Sequence, residues 1–582
     1  MGEKKGAGWL PTSLKEMKGL GWERPDVILF TGDAYVDHPS FGAAIIARVM
    51  EAEGMRVAVV PQPNWRDDLR DFTKLGEPRF FFAVTAGNMD SMVNHYTATR
   101  RLRSDDAYTP GGSAGFRPDY ATIVYTQILK RLFPSIPVLI GGIEASMRRL
   151  MHYDYWKDRL EPSILISSGA DMLIYGMAER AIAELARRVM GGEKLKLITD
   201  LPQSAYLWPA GSSLPSLSGV TDKALRPCHE ALASRRAYAE NFVLFEKTSN
   251  SLKPVRLTEQ CGETVVVVNP PLTPATEAEA DAIYELPFNY APHPRYDRKG
   301  AIPAWEMIRF SVNIHRGCFG GCSFCAIAAH QGKFVSSRSE DSIMKEIEKI
   351  SRMEGFKGYL TDLGGPSANM YRMAGRDSGR CMRCGRPSCI WPSVCDNLNT
   401  SHRELTALYR RINALPYIKK AFVGSGVRYD LLMKDFNGAA GKDEKDYLEE
   451  LIAGHTSGRL KVAPEHTDDE VLYLMRKSPF RHFRKLREKF LSITGTQGLK
   501  YELIPYFISS HPGTTEKKMS ELARELAGLG MRPEQVQDFT PTPMTLATAM
   551  YYLGFDPYTG QKVYVANDIA EKRRQKGYFF KK

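Results

Sequence analysis

Residues 316–325 read RGCFGGCSFC and follow an apolar stretch that is predicted to be a β-strand. The loop carries three cysteines, Cys318, Cys322 and Cys325, in a Cys-x3-Cys-x-aromatic-Cys pattern in which Phe324 is the aromatic residue. Four thiolates would saturate a [4Fe-4S] cluster, so three closely spaced thiolates leave one iron without a protein ligand. Because an open position on a metal is where substrate chemistry takes place, the loop predicts a reactive iron–sulfur site.

A structural zinc site is the alternative for this loop. Structural zinc sites usually combine paired Cys-x2-Cys elements and close all four ligand positions. The nearest candidate for a fourth ligand is His330, and its spacing does not match those zinc patterns. The spacing therefore favours the iron–sulfur cluster.

A series of strand–helix units surrounds the loop. The predicted strands are residues 307–314, 358–362, 420–424, 460–463, 501–507 and 535–539. Helices are predicted to begin at Ser339, at Thr467 within a Thr467–Glu470 capping box, and at about residue 515. This alternation predicts a partial (βα)6 barrel, whose active site would lie at the carboxyl ends of its strands.

The N-terminal third has the same alternation. Its predicted strands are residues 26–31, 56–61, 79–84, 136–140 and 171–175. Continuous apolar strands separated by helices predict a parallel sheet that is covered on both faces, so the fold class is α/β with a Rossmann-like, doubly wound N-terminal domain. The loops at residues 32–42, 87–96 and 141–146 would then surround any ligand.

These elements predict four segments of the chain. They are a Rossmann-like domain over residues 1–200, a connecting segment over 201–300, a partial barrel over 301–545 with a Cys-rich insertion at 375–400, and a basic tail over 546–582, whose final stretch EKRRQKGYFFKK is predicted to be disordered.

Composition limits the class of protein. The chain has 582 residues, of which 43% are hydrophobic and 25% charged, so global disorder is not expected. No apolar run approaches the roughly 20 residues of a membrane span, and the N-terminus lacks a signal-peptide core, so we expect a cytoplasmic protein without a membrane partner. The net charge of +12 is compatible with a polyanionic partner such as RNA, and equally with an ordinary basic surface.

Seven of the nine cysteines lie between residues 318 and 395, which favours metal ligation over disulfides. The four cysteines outside the loop are Cys381, Cys384, Cys389 and Cys395. Their number fits either zinc or a second iron–sulfur cluster, and both remain open. The neighbouring arginines would favour thiolates. Cys228 and Cys261 stand alone and are interpreted as ordinary cysteines.

The three-cysteine pattern resembles the signature of the radical S-adenosylmethionine (SAM) superfamily. The run RFSVNIHRGCFGGCSFCAIAAHQGKFVSSRS, together with LTDLGGPSANMY, GSGVRYDLL, LKVAPEHTDDEVL and SSHPGTT, is similar to the YgiQ-type radical SAM family, which has no settled substrate. The resemblance implies a [4Fe-4S] cluster that cleaves SAM reductively, followed by C–H abstraction from an unidentified substrate. It also implies an electron donor of the flavodoxin or ferredoxin type.

The resemblance assigns cofactor contacts as well. Gly364 and Gly365 are similar to the Gly-Gly-Glu motif that meets the SAM amino group, but Pro366 replaces the glutamate, so only main-chain contact is carried over. Ser425 and Arg428 resemble a ribose and carboxylate contact region, and Phe324 is the aromatic residue of the signature. No catalytic residue is assigned.

The N-terminal layout is similar to that of cobalamin-binding radical SAM enzymes. Their motif is Asp-x-His-x2-Gly, whereas here Asp37 and His38 are adjacent and Gly42 follows four residues later. Cobalamin is therefore possible but not favoured, and the alternative is a substrate or docking domain that kept the fold.

Two further functions stay open. One is a radical SAM enzyme that transfers a methyl or methylthio group, and the other is a non-catalytic iron–sulfur binding or sensing protein. The substrate is left unassigned, and RNA or protein is the class that would suit the basic charge.

Overall fold

The computed structural model describes residues 8–433 and 441–580. It divides into two compact units. The first comprises Met1–Thr273, Ala282–Arg309 and Thr542–Met544, and the second comprises Pro274–Asp281, Phe310–Pro541 and Thr545–Lys582.

The first unit is built on a large sheet. Its strands are β1 (Val27–Thr31), β2 (Val36–Asp37), β3 (Val57–Pro61), β4 (Phe81–Thr85), β5 (Val138–Gly141), β6 (His152–Asp154), β7 (Arg159–Glu161), β8 (Met172–Ile174), β9 (Ser204–Pro209), β10 (Thr221–Ala224), β11 (Val255–Cys261), β12 (Thr264–Val268) and β13 (Ala291–Pro292).

The helices up to residue 308 are α1 (Leu14–Gly19), α2 (Gly42–Ala52), α3 (Arg70–Thr73), α4 (Ser91–His95), α5 (Ala121–Leu132), α6 (Gly142–Ser146), α7 (Ile164–Ser168), α8 (Glu179–Met190), α9 (Cys228–Ala233), α10 (Arg235–Ser249), α11 (Glu277–Tyr284) and α12 (Pro303–Ile308).

The sheet has nine strands in the order β10-β11-β12-β9-β8-β5-β4-β1-β3. Its five-strand section β3-β1-β4-β5-β8 is parallel throughout. All five residues of β1 and of β3 are buried, because helices cover both faces of a doubly wound sheet. This strand order is that of flavodoxin-like folds, so the predicted α/β class with a large parallel sheet is confirmed.

The sheet continues through the segment that was expected to be a connection, residues 201–300. β9 runs antiparallel to β8, and β12 joins β9 to β11. The Pro- and Ser-rich composition reflects the stretch between β9 and β10, whereas Val266, Val267 and Val268 of β12 are buried in the sheet.

Cys228 and Cys261 are not isolated, which corrects the interpretation from sequence. α9 packs against β11 and brings the two cysteines together as a disulfide. Their separation of 33 residues hides this pairing in the sequence.

In the second unit, the strands are β14 (Ser311–Asn313), β15 (His315–Arg316), β16 (Ser336–Ser337), β17 (Tyr359–Leu360), β18 (Asp362–Gly364), β19 (Lys420–Ala421), β20 (Arg459–Glu465), β21 (Glu502–Ser509) and β22 (Val536–Asp538). The helices are α13 (Ala326–Gln331), α14 (Glu340–Ser351), α15 (Ser378–Met382), α16 (Arg403–Asn413), α17 (Tyr429–Met433), α18 (Lys442–His455), α19 (Asp469–Leu474), α20 (Phe480–Thr496), α21 (Glu516–Gly528), α22 (Leu546–Leu553) and α23 (Ile569–Gly577).

The strands of this unit pair in parallel in chain order. β14 pairs with β18, β17 with β19, and β20, β21 and β22 form one sheet, while a parallel bridge joins Val427 to Val462. Between successive strands lie α14, α16, α18, α20 and α21, whose apolar faces share one core with the strands. This arrangement puts the loops that follow β14, β18, β19 and β20 at the carboxyl ends of the strands.

Helix caps explain where two of these helices begin. Ser339 caps α14, because its hydroxyl accepts a hydrogen bond from the Ser342 amide. α19 is capped by Asp468, which accepts from the Val471 amide at 2.9 Å, and the expected Thr467 capping box is not formed. A charged carboxylate is the stronger acceptor at a helix N-terminus.

Part of the final stretch EKRRQKGYFFKK, which was expected to be disordered, lies in helix α23. α22 and α23 belong to the second unit, and the side chains of Lys572 and Gln575 on α23 are fully buried. Among the described residues, no helix combines the length and the apolar character that crossing a bilayer requires.

Candidate functional site

The three-cysteine loop is held in shape by glycines and by main-chain hydrogen bonds. It begins after β15, which pairs with β16. Gly317 has a φ of +83°, and a Cβ there would lie 2.1 Å from the Phe334 carbonyl oxygen. The Cys318 amide donates to the Gly332 carbonyl at 3.1 Å, and the Cys325 amide donates to the Cys322 carbonyl at 3.1 Å. The loop therefore turns back on itself and presents its three thiols together.

The three thiols are partly buried. Burial raises the pKa of Cys325 to about 12 and also raises the pKa of Cys318, an effect that the Arg428 guanidinium opposes. Because metal ligands must be thiolates, binding of a metal would release these protons.

The spacing of the sulfurs fits a cluster better than a zinc ion. Thiolates on one tetrahedral zinc lie about 3.8 Å apart, as follows from a Zn–S bond of about 2.3 Å. Among the described residues, only the group of Cys228, Glu259 and Cys261 has three ligand atoms within 4.8 Å of one another. Cys318, Cys322 and Cys325 are not such a group, so at least one pair of their sulfurs is more than 4.8 Å apart, which suits thiolates on different irons.

Arg428 lies against the cysteine loop. Its Nη1 is 3.1 Å from Cys322 Sγ, and its Nε donates to Asp430 Oδ1 at 3.0 Å. Burial alone would lower the pKa of Arg428, but the Asp430 carboxylate more than offsets this and keeps the group cationic. A Cβ on Gly320 would lie 2.9 Å from the Arg428 guanidinium, so glycine is needed for this approach.

Ser425 and the Gly364–Gly365 pair meet at the carboxyl end of β18. Ser425 Oγ donates to Asp362 Oδ2 at 2.5 Å, and the Gly424 amide donates to Asp362 Oδ1 at 2.8 Å. A Cβ on Gly365 would lie 2.6 Å from the His315 ring. The structure therefore brings Gly364, Gly365 and Ser425 together. The Ser425 hydroxyl already donates its hydrogen bond to Asp362.

Phe324 packs edge-on against His511, with ring centroids 5.9 Å apart. His511 Nε2 lies 3.2 Å from Ser323 Oγ, and burial lowers the pKa of His511 to about 3, so the ring is neutral. The aromatic residue of the signature is thus oriented by a neutral histidine from the loop after β21.

Three polar groups at this end of the unit were not selected from the sequence as site residues. They are Asp430, Asp362 and the pair of Glu465 with Lys477, whose charged atoms are 3.8 Å apart. Glu465 has a φ of +69° and ends β20, and burial raises its pKa. The Ala463–His466 stretch was noted in the sequence as a strand end of the barrel, which could have pointed to Glu465. The partner of Glu465 could not be found in this way, because Lys477 lies 12 residues later.

The second cysteine group adjoins the first. The Cys389 amide donates to the Phe319 carbonyl at 3.0 Å, and Ser388 Oγ donates to the Gly320 carbonyl at 2.8 Å. Burial raises the pKa of Cys389 to about 11, an effect that Lys333 opposes and that the other three thiols of the group reinforce. The structure therefore brings Cys381, Cys384, Cys389 and Cys395 together beside the loop.

In the first unit, the crevice at the topological switch point between β1 and β4 is filled by side chains. Arg117 Nη2 lies 2.9 Å from an Asp33 carboxylate oxygen and 3.1 Å from one of Asp106, and its Nη1 donates to the Ala86 carbonyl at 2.8 Å. His38 is 1% exposed and packs against the Tyr290 ring.

A cleft lies along β1, β4 and β5, and its mostly apolar lining contains no histidine. The residues present thus offer no histidine over an open crevice for cobalamin, and we assign no step to that cofactor.

Comparison with known proteins identifies the family. The family model described as Radical SAM N-terminal matches residues 9–311, and a domain of unknown function, DUF3362, matches residues 534–580. A UPF0313 protein of Porphyromonas gingivalis is 57% identical over 98% of this chain and 90% of its own length. The chain belongs to the UPF0313 family of the radical SAM superfamily.

Other members span bacteria and archaea. A UPF0313 protein of Bacteroides thetaiotaomicron is 54% identical over 100% of this chain and 95% of its own length. A UPF0313 protein of Methanocella arvoryzae is 44% identical over 96% of this chain and 90% of its own length. The UPF0313 chain described here is thus a radical SAM enzyme, which confirms the resemblance seen in the sequence.

Among solved structures, the radical SAM methyltransferase TsrM from Kitasatospora setae, with cobalamin and a [4Fe-4S] cluster bound, is similar at 14% identity and a TM-score of 0.49. That match covers 95% of this chain and 87% of TsrM.

Proposed function

We propose that this enzyme cleaves SAM reductively at a [4Fe-4S] cluster held by Cys318, Cys322 and Cys325 and abstracts hydrogen from a C–H bond of its substrate. The observation that carries the proposal is the set of three thiols on one loop, with a buried arginine whose Nη1 lies 3.1 Å from Cys322 Sγ. When bound, the cluster and SAM supply the electron and the 5′-deoxyadenosyl radical.

The second unit provides the frame for this chemistry, as a partial (βα)6 barrel. Its strands pair in parallel in chain order, and the cysteine loop, Gly364–Gly365, Ser425 and Glu465 follow four of them at the carboxyl end. Sites of such barrels lie at that end.

The surrounding residues have separate roles in the proposal. Arg428 donates toward Cys322 and is a positioning residue for the cysteine loop, since Asp430 holds its guanidinium. The main chain at Gly364 and Gly365, the Ser425 hydroxyl and the Phe324 ring contact SAM. Glu465 and Lys477 lie beside the loop as polar groups for the substrate or for SAM.

The cluster assignment is tested by anaerobic reconstitution with iron and sulfide. With dithionite as the reductant, we expect the reconstituted protein to convert SAM into 5′-deoxyadenosine and methionine, which mass spectrometry measures. The triple variant Cys318→Ala/Cys322→Ala/Cys325→Ala is expected to yield neither. Exposed Met307→Ala in the first unit is the control and should retain both. A reconstituted cluster that forms no 5′-deoxyadenosine would favour a binding or sensing protein.

We propose RNA or protein as the substrate class, supported by the net charge of +12. Cells that lack this gene are grown in deuterated medium, and their extract is separated into small molecules, RNA and protein. The fraction that transfers deuterium to 5′-deoxyadenosine contains the substrate. Transfer from the small-molecule fraction alone would contradict the proposal.

A further inference from the structure

A buried cation lies beside three of the four cysteines of the insertion, Cys381, Cys384 and Cys389. Lys333 is 1% exposed, and its Nζ donates to the Arg386 carbonyl at 2.6 Å and lies 3.9 Å from Cys384 Sγ. Among the described residues, no carboxylate lies within 4.0 Å of this ammonium. A buried ammonium without a carboxylate is costly unless another anion compensates it. Thiolates on a metal centre are such an anion.

Hydrogen bonds to sulfur are a second feature of the group. Asn397 Nδ2 donates to Cys381 Sγ at 3.4 Å and to the Asp377 carbonyl at 2.9 Å, so the amide is fixed in that orientation. A Cβ on Gly375 would lie 2.2 Å from Cys381 Sγ, so the backbone must come close to this sulfur. N–H donors and close backbone approach are typical of the surroundings of iron–sulfur clusters.

The sulfurs of the group are less closely gathered than the ligands of a single zinc ion would be. A zinc ion with four thiolates would hold them about 3.8 Å apart. Within the described part of the chain, no three of Cys381, Cys384, Cys389 and Cys395 lie within 4.8 Å of one another. The three cysteines of the radical SAM signature likewise do not all lie within 4.8 Å of one another.

The position of the group suggests its role. On one side, Cys389 and Ser388 are hydrogen-bonded to the main chain of the first loop at Phe319 and Gly320. Phe319 directly follows Cys318, and both cysteine groups border one apolar cluster that contains Phe319, Met370 and Ile390. Electron tunnelling weakens steeply with distance, and a hydrogen-bonded contact beside buried apolar side chains is a short route.

The opposite side faces solvent. Arg376, Arg380 and Arg383 are exposed, as are Asp377 and Asp396, and Arg380 is paired with Asp396, so the rim keeps a small excess of positive charge. A basic exposed rim attracts an acidic partner and speeds their encounter. The cysteine group thus lies between a surface that suits an acidic protein and the loop of the SAM-binding cluster.

We infer that Cys381, Cys384, Cys389 and Cys395 hold a second [4Fe-4S] cluster, which passes one electron at a time from an acidic, reduced ferredoxin- or flavodoxin-type protein to the cluster at Cys318. The donor is oxidised by one electron, and the first cluster is reduced by one. The relay rests on the proposed function, whereas the identity of the metal does not.

Metal analysis tests whether the four cysteines hold a second [4Fe-4S] cluster. After anaerobic reconstitution, we expect about eight iron and eight sulfide per chain, and about four of each in Cys381→Ser/Cys384→Ser. Met382→Ala, on the same loop, is the matched control and should keep about eight. One zinc per chain with about four iron, or about four iron without zinc, would overturn the second cluster.

The electron relay is tested by comparing a protein electron donor with dithionite. In the double serine variant, 5′-deoxyadenosine formation should fall at least tenfold with a reduced ferredoxin-type protein but less than twofold with dithionite, which reaches the first cluster directly. Equal rates with the protein donor would overturn the relay. Wild type with about eight iron and no 5′-deoxyadenosine would instead refute the proposed function and leave the metal assignment standing.

A second variant covers the case in which the double serine variant binds no iron. Lys333→Met keeps all four cysteines and removes the buried cation. We expect about eight iron and a second cluster whose reduction potential is more negative than in wild type, because the reduced state loses its compensating charge. An unchanged potential in this variant would contradict the assignment.

Discussion

Arg428 donates toward Cys322 Sγ from 3.1 Å, although the two residues are 106 positions apart in the chain. The guanidinium is held from behind by both carboxylate oxygens of Asp430. It is also fixed through its main chain, because Asn369 Oδ1 accepts from the Arg428 amide at 2.7 Å. The Arg428 guanidinium is thus held in a fixed orientation toward Cys322 Sγ.

This contact predicts a change in the potential of the first cluster. We expect Arg428→Gln to make the reduction potential more negative, since a positive charge and an N–H donor at the sulfur stabilise the reduced cluster. A fall of about 60 mV would lower the ratio of reduced to oxidised cluster tenfold at a fixed donor potential.

A redox titration followed by electron paramagnetic resonance measures this potential. Arg376→Gln, which changes an exposed arginine, is the control. If the potential of Arg428→Gln matches that of the control while 5′-deoxyadenosine formation is lost, Arg428 acts on SAM and not on the cluster.

Gly321 joins the two cysteine groups. Its φ is +59°, and a Cβ there would lie 2.4 Å from the Pro387 carbonyl oxygen and 2.9 Å from Ser388 Cβ. Gly321→Ala is therefore expected to destabilise the unit by about 2–4 kcal/mol, from left-handed strain together with displaced backbone. Iron content should fall with it.

Gly385→Ala is the matched control, because no atom lies within 4 Å of its added Cβ. Thermal unfolding and iron analysis of the two variants give the comparison. Equal unfolding temperatures for both would show that the loops are not in the close contact described.

His402 makes stability depend on pH. Burial lowers the pKa of His402 to about 3. Asn369 Nδ2 donates to its Nε2 at 2.9 Å and cannot reverse, because the other end of the amide accepts from Arg428. The ring is therefore neutral in the folded protein and protonated below about pH 6.5 in the unfolded chain. Since the unfolded state binds the extra proton, stability falls as the pH falls from about 6.5 toward 3.

The expected slope from this residue is about 1.4 kcal/mol per pH unit. His402→Gln keeps an acceptor for Asn369 and removes the titration, so its unfolding temperature should decline less than that of wild type between pH 7 and pH 5. His229→Gln, at an exposed position, should follow wild type. Parallel curves for His402→Gln and wild type would contradict the buried neutral ring.

The C-terminal helix is expected to stabilise the second unit. Gln575 accepts from the Ser510 amide and donates to the Thr514 carbonyl, each at 3.0 Å, and is fully buried. Gln575→Leu leaves both main-chain groups without a partner and should cost about 2–4 kcal/mol of unfolding free energy. Chemical denaturation measures the loss, with the exposed Arg573→Gln as control. An unchanged midpoint would indicate that α23 does not dock on this loop.

The positions of most strands along the chain were predictable from the sequence. Every strand predicted from residues 26–31 to 171–175 and from 307–314 to 535–539 overlaps an observed one, because buried parallel strands are short continuous apolar runs. The errors fall where local composition and burial disagree. Residues 201–300 and α23 are rich in polar residues, yet a few of their side chains are placed in the core by contacts far along the chain.

The chemistry of the first loop was readable from the chain alone, since its three thiols and their glycines lie within ten residues and loop geometry is local. The contacts that set the properties of those thiols are not local. Arg428, Asp430 and the Ser388–Cys389 segment reach the loop across gaps of about 60 to 110 residues, and the pairing of Cys228 with Cys261 spans 33. Such pairs are decided by how strands and helices pack, because only packing determines which distant side chains share a buried, low-dielectric space.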